Sequence, residues 1–151
     1  MTEVFFYHLE RQPLDRVLPR MLQASLDRGW RAVVQVGSEE RVEALSAAIW
    51  TQDDASFIPH GSKADGMPDL QPVWLTAVDE NPNGATVRFF ADGAPVGGVD
   101  GLIRAVILFD GADAEAVGHA RAEWKRLRAA GHDISYWQQD EAGRWVNRAA
   151  G

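Results

Sequence analysis

The sequence predicts an α/β protein of three layers, α/β/α, with helices on both faces of a mostly parallel central sheet. Short apolar segments typical of strands alternate along the chain with segments whose apolar residues recur at helical spacing. Residues 103–111 are apolar enough to form a strand buried on both faces, as central strands of parallel sheets are. The 151 residues fit a single domain covering 1–151, and no repeat or linker divides them.

The first third of the chain alternates strand and helix. Residues 3–9 are short and aromatic-rich, which favours a buried strand, and residues 13–29 carry apolar side chains at helical spacing. Pro19 lies inside that helical pattern and is expected to kink the helix or shift its start. Residues 31–37 predict a second strand, and Ser38 is suited to cap the helix that follows it.

The middle of the chain predicts one long loop and two more strands. Residues 51–70 are rich in Asp, Gly, Ser and Pro, so we expect an exposed loop that carries a function. Apolar segments at 72–77 and 85–90 predict strands on either side of a turn at 81–84. The second of these strands is expected at an edge of the sheet, paired antiparallel.

The last third predicts a strand, a helix and a further strand. Residues 103–111 form the central strand, and the helix after it ends at Gly131, a residue type that favours helix C-termini. Residues 133–139 predict the next strand. Residues 138–151 are either a hairpin return or a loose tail.

Composition excludes several classes of function. The chain has no cysteine, which excludes disulfides, thiolate catalysis and Cys-based metal sites. It has no signal-peptide pattern and no long apolar run, so we expect a soluble, cytoplasmic protein with no membrane partner. The formal net charge of −7 argues against wholesale binding to nucleic acid, because phosphate binding needs a positive surface.

Sequence motifs for catalysis or nucleotide binding are missing. The turn after the second strand reads VGSEE, which matches neither glycine-rich phosphate motif and places two glutamates where a phosphate would sit. The four histidines have no metal-ligand spacing, so no catalytic residue, metal or cofactor is predicted. The alternative function is a nucleotide-binding enzyme or sensor that uses the strand ends near Gly37 and Asp110, although Asp110 is also typical of a turn.

A basic stretch, RAEWKRLR at residues 121–128, stands out in this acidic chain. It holds four of the 15 Lys and Arg residues around Trp124. At about 100° per residue, Arg121, Lys125 and Arg128 form a ridge beside Trp124. Arg126 points elsewhere. The stripe that faces the core consists of Ala116, Val117, Ala120, Trp124 and Leu127.

This ridge allows three interpretations. The first is a solvated helix face whose late cations complement the helix dipole. The second is a shallow pocket with an aromatic wall and cationic donors, suited to the carboxylates of a partner's acidic C-terminus. The third is direct binding of single strands with Trp124 as a stacking platform, which the net charge disfavours.

The chain as a whole resembles the chi subunit of the bacterial DNA polymerase III holoenzyme. The resemblance rests on FFYHL near the N-terminus, AIW followed by SFIPH, VILFDG, and ARAEWKRLRAAGHDISYW. It implies a Rossmann-like, nucleotide-binding-like fold without a nucleotide motif, and a non-catalytic adaptor in the clamp-loader assembly. It also implies binding to the acidic C-terminal tail of single-stranded DNA-binding protein, which ends in Pro-Phe, so that DNA is reached only indirectly.

The resemblance also implies two sets of contact residues. The tail pocket corresponds to Arg121, Trp124 and Lys125, with Val117 one turn earlier and Arg128 on the same ridge; Trp124 stands where relatives often have Tyr. A second interface, with the psi subunit or an accessory helicase, corresponds to Phe57 with Trp50 nearby. Trp50 is also expected to pack the 51–70 loop onto the second helix.

Overall fold

A computed structural model describes residues 2–10, 12–51 and 58–148, which form a mostly parallel sheet covered by helices. The helices are α1 (Leu14–Asp27), α2 (Glu39–Thr51) and α3 (Ala114–Ala129), with one 3₁₀ turn at Pro68–Leu70. The strands are β1 (Glu3–Leu9), β2 (Ala32–Gln35), β3 (Gly61–Ser62), β4 (Val73–Thr76), β5 (Val87–Phe90), β6 (Arg104–Asp110), β7 (Asp133–Gln139) and β8 (Trp145–Asn147).

The strands lie in the order β3-β4-β2-β5-β6-β1-β7-β8. Every neighbouring pair is parallel except β7 and β8, which are antiparallel. β6 lies between β5 and β1, and five of its seven residues are buried, so its predicted central position is confirmed. In register, Phe6 of β1 is flanked by Ile107 of β6 and Tyr136 of β7.

Two separate apolar clusters show that the helices cover opposite faces of the sheet. Leu18 and Leu22 of α1 pack in one cluster with Leu45 of α2. Ala120 and Leu127 of α3 pack in the other cluster, together with side chains of β1 and β6. The predicted three-layer α/β/α fold is therefore confirmed.

The prediction for β5 is wrong. This strand is not at an edge but lies between β2 and β6 and pairs parallel with both. All four of its residues are buried, which requires cover on both faces. Arg88 in the middle of the strand suggests an exposed edge, but its guanidinium is buried beside Asp79 and Gln35. Gln35 is 53 residues away in sequence and Asp79 lies outside β5, so the local pattern of the strand does not reveal these polar partners.

The course of α1 and of the 51–70 loop also differs from expectation. Pro19 does not shift the start of α1, which begins at Leu14 and continues past the proline. The predicted loop is not exposed throughout, because Ile58, His60 and the short strand β3 within it are buried. The cap of α2 follows the prediction, since the Arg41 N–H donates to Ser38 Oγ at 3.3 Å.

The C-terminal segment forms the hairpin that the sequence offered as one of two alternatives. β8 pairs antiparallel with β7, with Trp137 opposite Asn147. The Asp140 carboxylate accepts from the N–H groups of Ala142 and Arg144, both at 2.9 Å, and so fixes the turn. Residues 149–151 of the predicted tail lie outside the described part of the chain.

Candidate functional site

Helix α3 positions the basic stretch, and its start is fixed by a side-chain cap. Asp113 has extended backbone angles, and its carboxylate accepts from the N–H groups of Glu115 and Ala116 at 3.0 and 3.4 Å. This negative charge also complements the helix dipole. At the other end, Arg126 and Arg128 occupy the last turn, where cations are favourable.

Asp113→Ala is expected to lower the free energy of unfolding by about 1 kcal/mol, the usual cost of losing an N-cap. Asp113→Asn should retain most of the stability, because its amide oxygen accepts the same two hydrogen bonds. Urea unfolding of the two variants and the wild type checks this prediction. Equal stability of the alanine variant and the wild type would contradict the capping role.

A cleft of about 320 Å³ opens between α3, the end of β6, the middle of β7 and the residue after β8. Most of its lining is apolar or aromatic, and two arginines complete it. The lining residues are Phe109, Val117, Ala120, Arg121, Trp124, Tyr136 and Arg148. A cleft of this kind offers an apolar floor to a side chain and paired cationic donors to a carboxylate.

Trp124 forms a fixed aromatic wall of the cleft. Its ring centroid lies 5.5 Å from that of Phe6, which is fully buried on β1. It lies 5.9 Å from the ring of Tyr136 in an edge-on arrangement. Such tilted and edge-on contacts are favourable geometries for aromatic pairs. The indole is therefore held between the core and the cleft, as the helical spacing predicted.

Tyr136 is held in place through its hydroxyl. The hydroxyl lies 2.5 Å from His8 Nδ1, and His8 Nε2 lies 3.0 Å from Glu10 Oε1. A histidine protonated on Nε2 satisfies both contacts, because it donates to Glu10 and accepts from the Tyr136 hydroxyl. Burial raises the pKa of Tyr136. The positive charge of Arg121 lowers this pKa, and the negative charge of Glu10 raises it further. Tyr136 is therefore a neutral wall of the cleft at physiological pH.

Comparison with known proteins agrees with the resemblance seen in the sequence. The model of the family described as "DNA polymerase III chi subunit, HolC" matches residues 1–135. The chain belongs to this chi family. A relative named "Probable DNA polymerase III subunit chi", from Rickettsia prowazekii (strain Madrid E), is 30% identical over 87 residues, which are 58% of this chain and 53% of the relative. The chain thus spans about half the length of this curated relative.

Three of the residues predicted for the tail pocket of a chi protein line the cleft. These are Val117, Arg121 and Trp124. Lys125 and Arg128 are exposed on α3 but do not contribute to the lining. Arg126 is turned away, as expected, since it donates to Glu123 and to the carbonyl of Val96.

Phe109, Tyr136 and Arg148 line the cleft but were not predicted as site residues. Alternation along β7 could have indicated Tyr136, because it lies two residues after Ile134 and both pack on the α3 side of the sheet. Phe109 follows Ile107 in the same way on β6. Arg148 lies on the hairpin, beyond the residues that the chi family matches, and no local signal marks it.

The second predicted interface of a chi protein is described only in part. Trp50 lies in the last turn of α2 with half of its surface exposed. Its ring centroid is 4.3 Å from that of His60, so it packs against the middle of the 51–70 segment. His60 is in turn held by the Ile58 carbonyl at 2.8 Å and Ser46 Oγ at 3.2 Å. Phe57 lies outside the described residues.

At the strand ends of the alternative nucleotide site, Gly37 and Asp110 both make close contacts within the protein. A Cβ on Gly37 would lie 2.5 Å from the carbonyl oxygen of Asp92, so the loop after β5 approaches closely there. The Asp110 carboxylate accepts from the Ala112 N–H at 2.9 Å and serves the turn before α3. The space beside Gly37 and the Asp110 carboxylate are thus both used within the protein itself.

Residues 2–10, 12–51 and 58–148 contain neither a metal-binding cluster nor a membrane-spanning helix. Within these ranges, no three His, Asp or Glu side chains come together in a way that could hold a metal ion. The helices there are too short or too polar to cross a bilayer.

Proposed function

We propose that this chain is a non-catalytic adaptor of DNA polymerase III in DNA replication. It links the clamp-loader complex, through a psi-like subunit, to the acidic C-terminal tail of single-stranded DNA-binding protein. The observation that supports the tail contact is the cleft beside α3, which is lined by apolar and aromatic residues together with two arginines. An acidic tail that ends in Pro-Phe carries the matching chemistry: an apolar ring and a terminal carboxylate.

The size and lining of the cleft favour a chain terminus over a folded partner. Its volume of about 320 Å³ is at the lower end of small-ligand pockets. A terminal phenylalanine ring packs between Trp124 and Phe109, both of which line the cleft. Its carboxylate then meets Arg121, whose planar fork can bind both oxygens.

The outer ridge meets the acidic residues that precede the terminus. Lys125 and Arg128 are exposed on α3 beside the cleft. They attract upstream carboxylates through solvent, so this part of the interaction is weak and screened by salt. A micromolar dissociation constant, about 8 kcal/mol of binding free energy, suffices because many tails on one coated strand raise the effective concentration.

The psi-like or helicase contact is proposed at the end of α2. Trp50 exposes half of its surface there, and tryptophan is enriched at interface hot spots. Phe57, which lies outside the described residues, is the second residue proposed for this contact. The two interfaces involve different helices, so one chain can hold both partners at once.

Calorimetric titration with a synthetic acidic peptide ending in Asp-Ile-Pro-Phe tests the tail contact. We expect saturable binding in the micromolar range that weakens as salt is raised. Trp124→Ala should reduce the affinity at least tenfold, because it removes the aromatic wall. Trp50→Ala is the matched control and should leave peptide binding unchanged. Wild-type protein that does not bind the peptide, or equal loss in both variants, would contradict the proposal.

A further inference from the structure

Arg148 enters the cleft from the C-terminal hairpin. Its backbone N–H donates to the Tyr136 carbonyl at 2.6 Å, which extends the ladder one pair beyond Trp137 and Asn147. Residues opposite each other on paired strands project to the same face of a sheet. Arg148 therefore lies beside Tyr136, its side chain is expected on the face that α3 covers, and the residue lines the cleft.

The turn between β7 and β8 determines this position. The Gly143 N–H donates to the Asp140 carbonyl at 3.0 Å, and Gly143 has φ +82°, a left-handed conformation that glycine adopts without strain. The Asp140 N–H donates to the Arg144 carbonyl at 2.8 Å and closes the loop. Turn geometry sets the register of a hairpin, and this register places Arg148, rather than its neighbours, opposite Tyr136.

The charge of Arg148 is available to a ligand. Within the described part of the chain, no carboxylate forms an ion pair with Arg148 or with Arg121. By contrast, Arg144 on the same hairpin pairs with Asp140 at 3.5 Å. Arg121 and Arg148 are the two cationic residues of the lining, and they come from different elements, α3 and the hairpin.

We propose that Arg148 binds the terminal carboxylate of the acidic tail together with Arg121, so that the hairpin is part of the binding site. This inference rests on the proposed tail contact. When the ring of the terminal phenylalanine packs against Trp124, the α-carboxylate of the same residue lies in the cleft. The carboxylates of the preceding acidic residues lie outside the cleft, toward Lys125. The carboxylate that meets the two lining arginines is therefore the terminal one. Two guanidinium groups on one carboxylate give strong, charge-assisted hydrogen bonds.

Titration of wild type, Arg148→Ala and Arg144→Ala tests this inference with two peptides, one with a free C-terminus and one amidated. Arg148→Ala should weaken binding of the free peptide about tenfold, whereas Arg144→Ala removes an equal charge from the same hairpin outside the cleft and should have no effect. Amidation should cost the wild type more affinity than it costs Arg148→Ala. The difference between these two costs is the coupling energy between Arg148 and the terminal carboxylate, and it shows that the two groups interact.

Each result decides the matter. Tenfold weakening with coupling to the free carboxylate supports the role of Arg148. If the wild type binds the free peptide and Arg148→Ala binds it equally well, the inference fails while the proposed tail contact stands. Equal weakening toward both peptides would also overturn it, because Arg148 would not act on the terminus. No binding to the wild type would overturn the tail contact and this inference together. Thermal unfolding of each variant verifies that the substitution leaves the fold intact, so that a loss of affinity can be assigned to the side chain.

Discussion

Arg121→Glu is expected to weaken binding of the acidic tail peptide about a hundredfold, which corresponds to roughly 2.7 kcal/mol. Arg121 lines the cleft beside Trp124 and forms no ion pair with a described carboxylate. The substitution removes a donor to the peptide carboxylate and places a negative charge at the same position. Loss of the guanidinium that pairs with the peptide carboxylate lowers the affinity, and repulsion between that carboxylate and the new glutamate lowers it further. Calorimetric titration at low and high salt measures the effect.

Lys125→Glu is the matched control for this variant. It makes the same change of charge on the same helix, but Lys125 is exposed and lies outside the lining. We expect a few-fold loss at low salt that largely disappears at high salt, because the Debye length falls to about 3 Å at 1 M. The loss in Arg121→Glu should persist at high salt. Equal behaviour of the two variants at both salt concentrations would show that the cleft is not where the peptide docks.

The helix that carries these residues could be predicted because its pattern is local. Apolar residues that recur every three to four positions determine which side of α3 faces the sheet. Ala120 and Leu127 are buried there, and Trp124 lies at the border of the same cluster. Arg121 follows from the same geometry, since it lies three residues before Trp124 on the helix surface.

Residues of the cleft that depend on strand pairing were harder to predict. Tyr136 and Phe109 belong to strands whose alternation is visible in the sequence, but which side meets α3 depends on the sheet order. Arg148 depends in addition on the register of the β7–β8 hairpin. A shift of one residue in that register would turn the arginine to the opposite face.

The position of β5 in the sheet was also not predictable from the sequence, and here the reason is electrostatic. A strand with an arginine at its centre is expected at an edge, where the charge remains in water. In the structure, the Arg88 side chain is only 7% exposed, and its guanidinium contacts Asp79, which lies outside β5, and Gln35, which is 53 residues away in sequence. Partners of this kind depend on the tertiary fold, so composition and periodicity do not reveal them.

Arg88→Met is expected to lower the free energy of unfolding by about 2–4 kcal/mol. The guanidinium lies 2.7 Å from Gln35 Oε1 and 3.0 Å from Asp79 Oδ1. Asp79 is 65% exposed and regains water when the arginine is removed, but Gln35 is buried and its oxygen loses its donor. Burial lowers the pKa of Arg88. The negative charges of Asp79 and Glu80 raise it again, so these two neighbours stabilise the charged guanidinium.

Two further variants, measured by urea unfolding, show why Arg88→Met lowers the free energy of unfolding. Arg41→Met breaks a similar ion pair, with Asp92 at 3.4 Å, but Arg41 is exposed, so we expect a loss of at most about 1 kcal/mol. The double variant Arg88→Met with Gln35→Leu removes both partners of the buried hydrogen bond. It should be less destabilised than the sum of the single variants, because no buried oxygen is left without a donor. If Arg88→Met unfolds with the same free energy as Arg41→Met, the buried arginine does not stabilise the centre of the sheet.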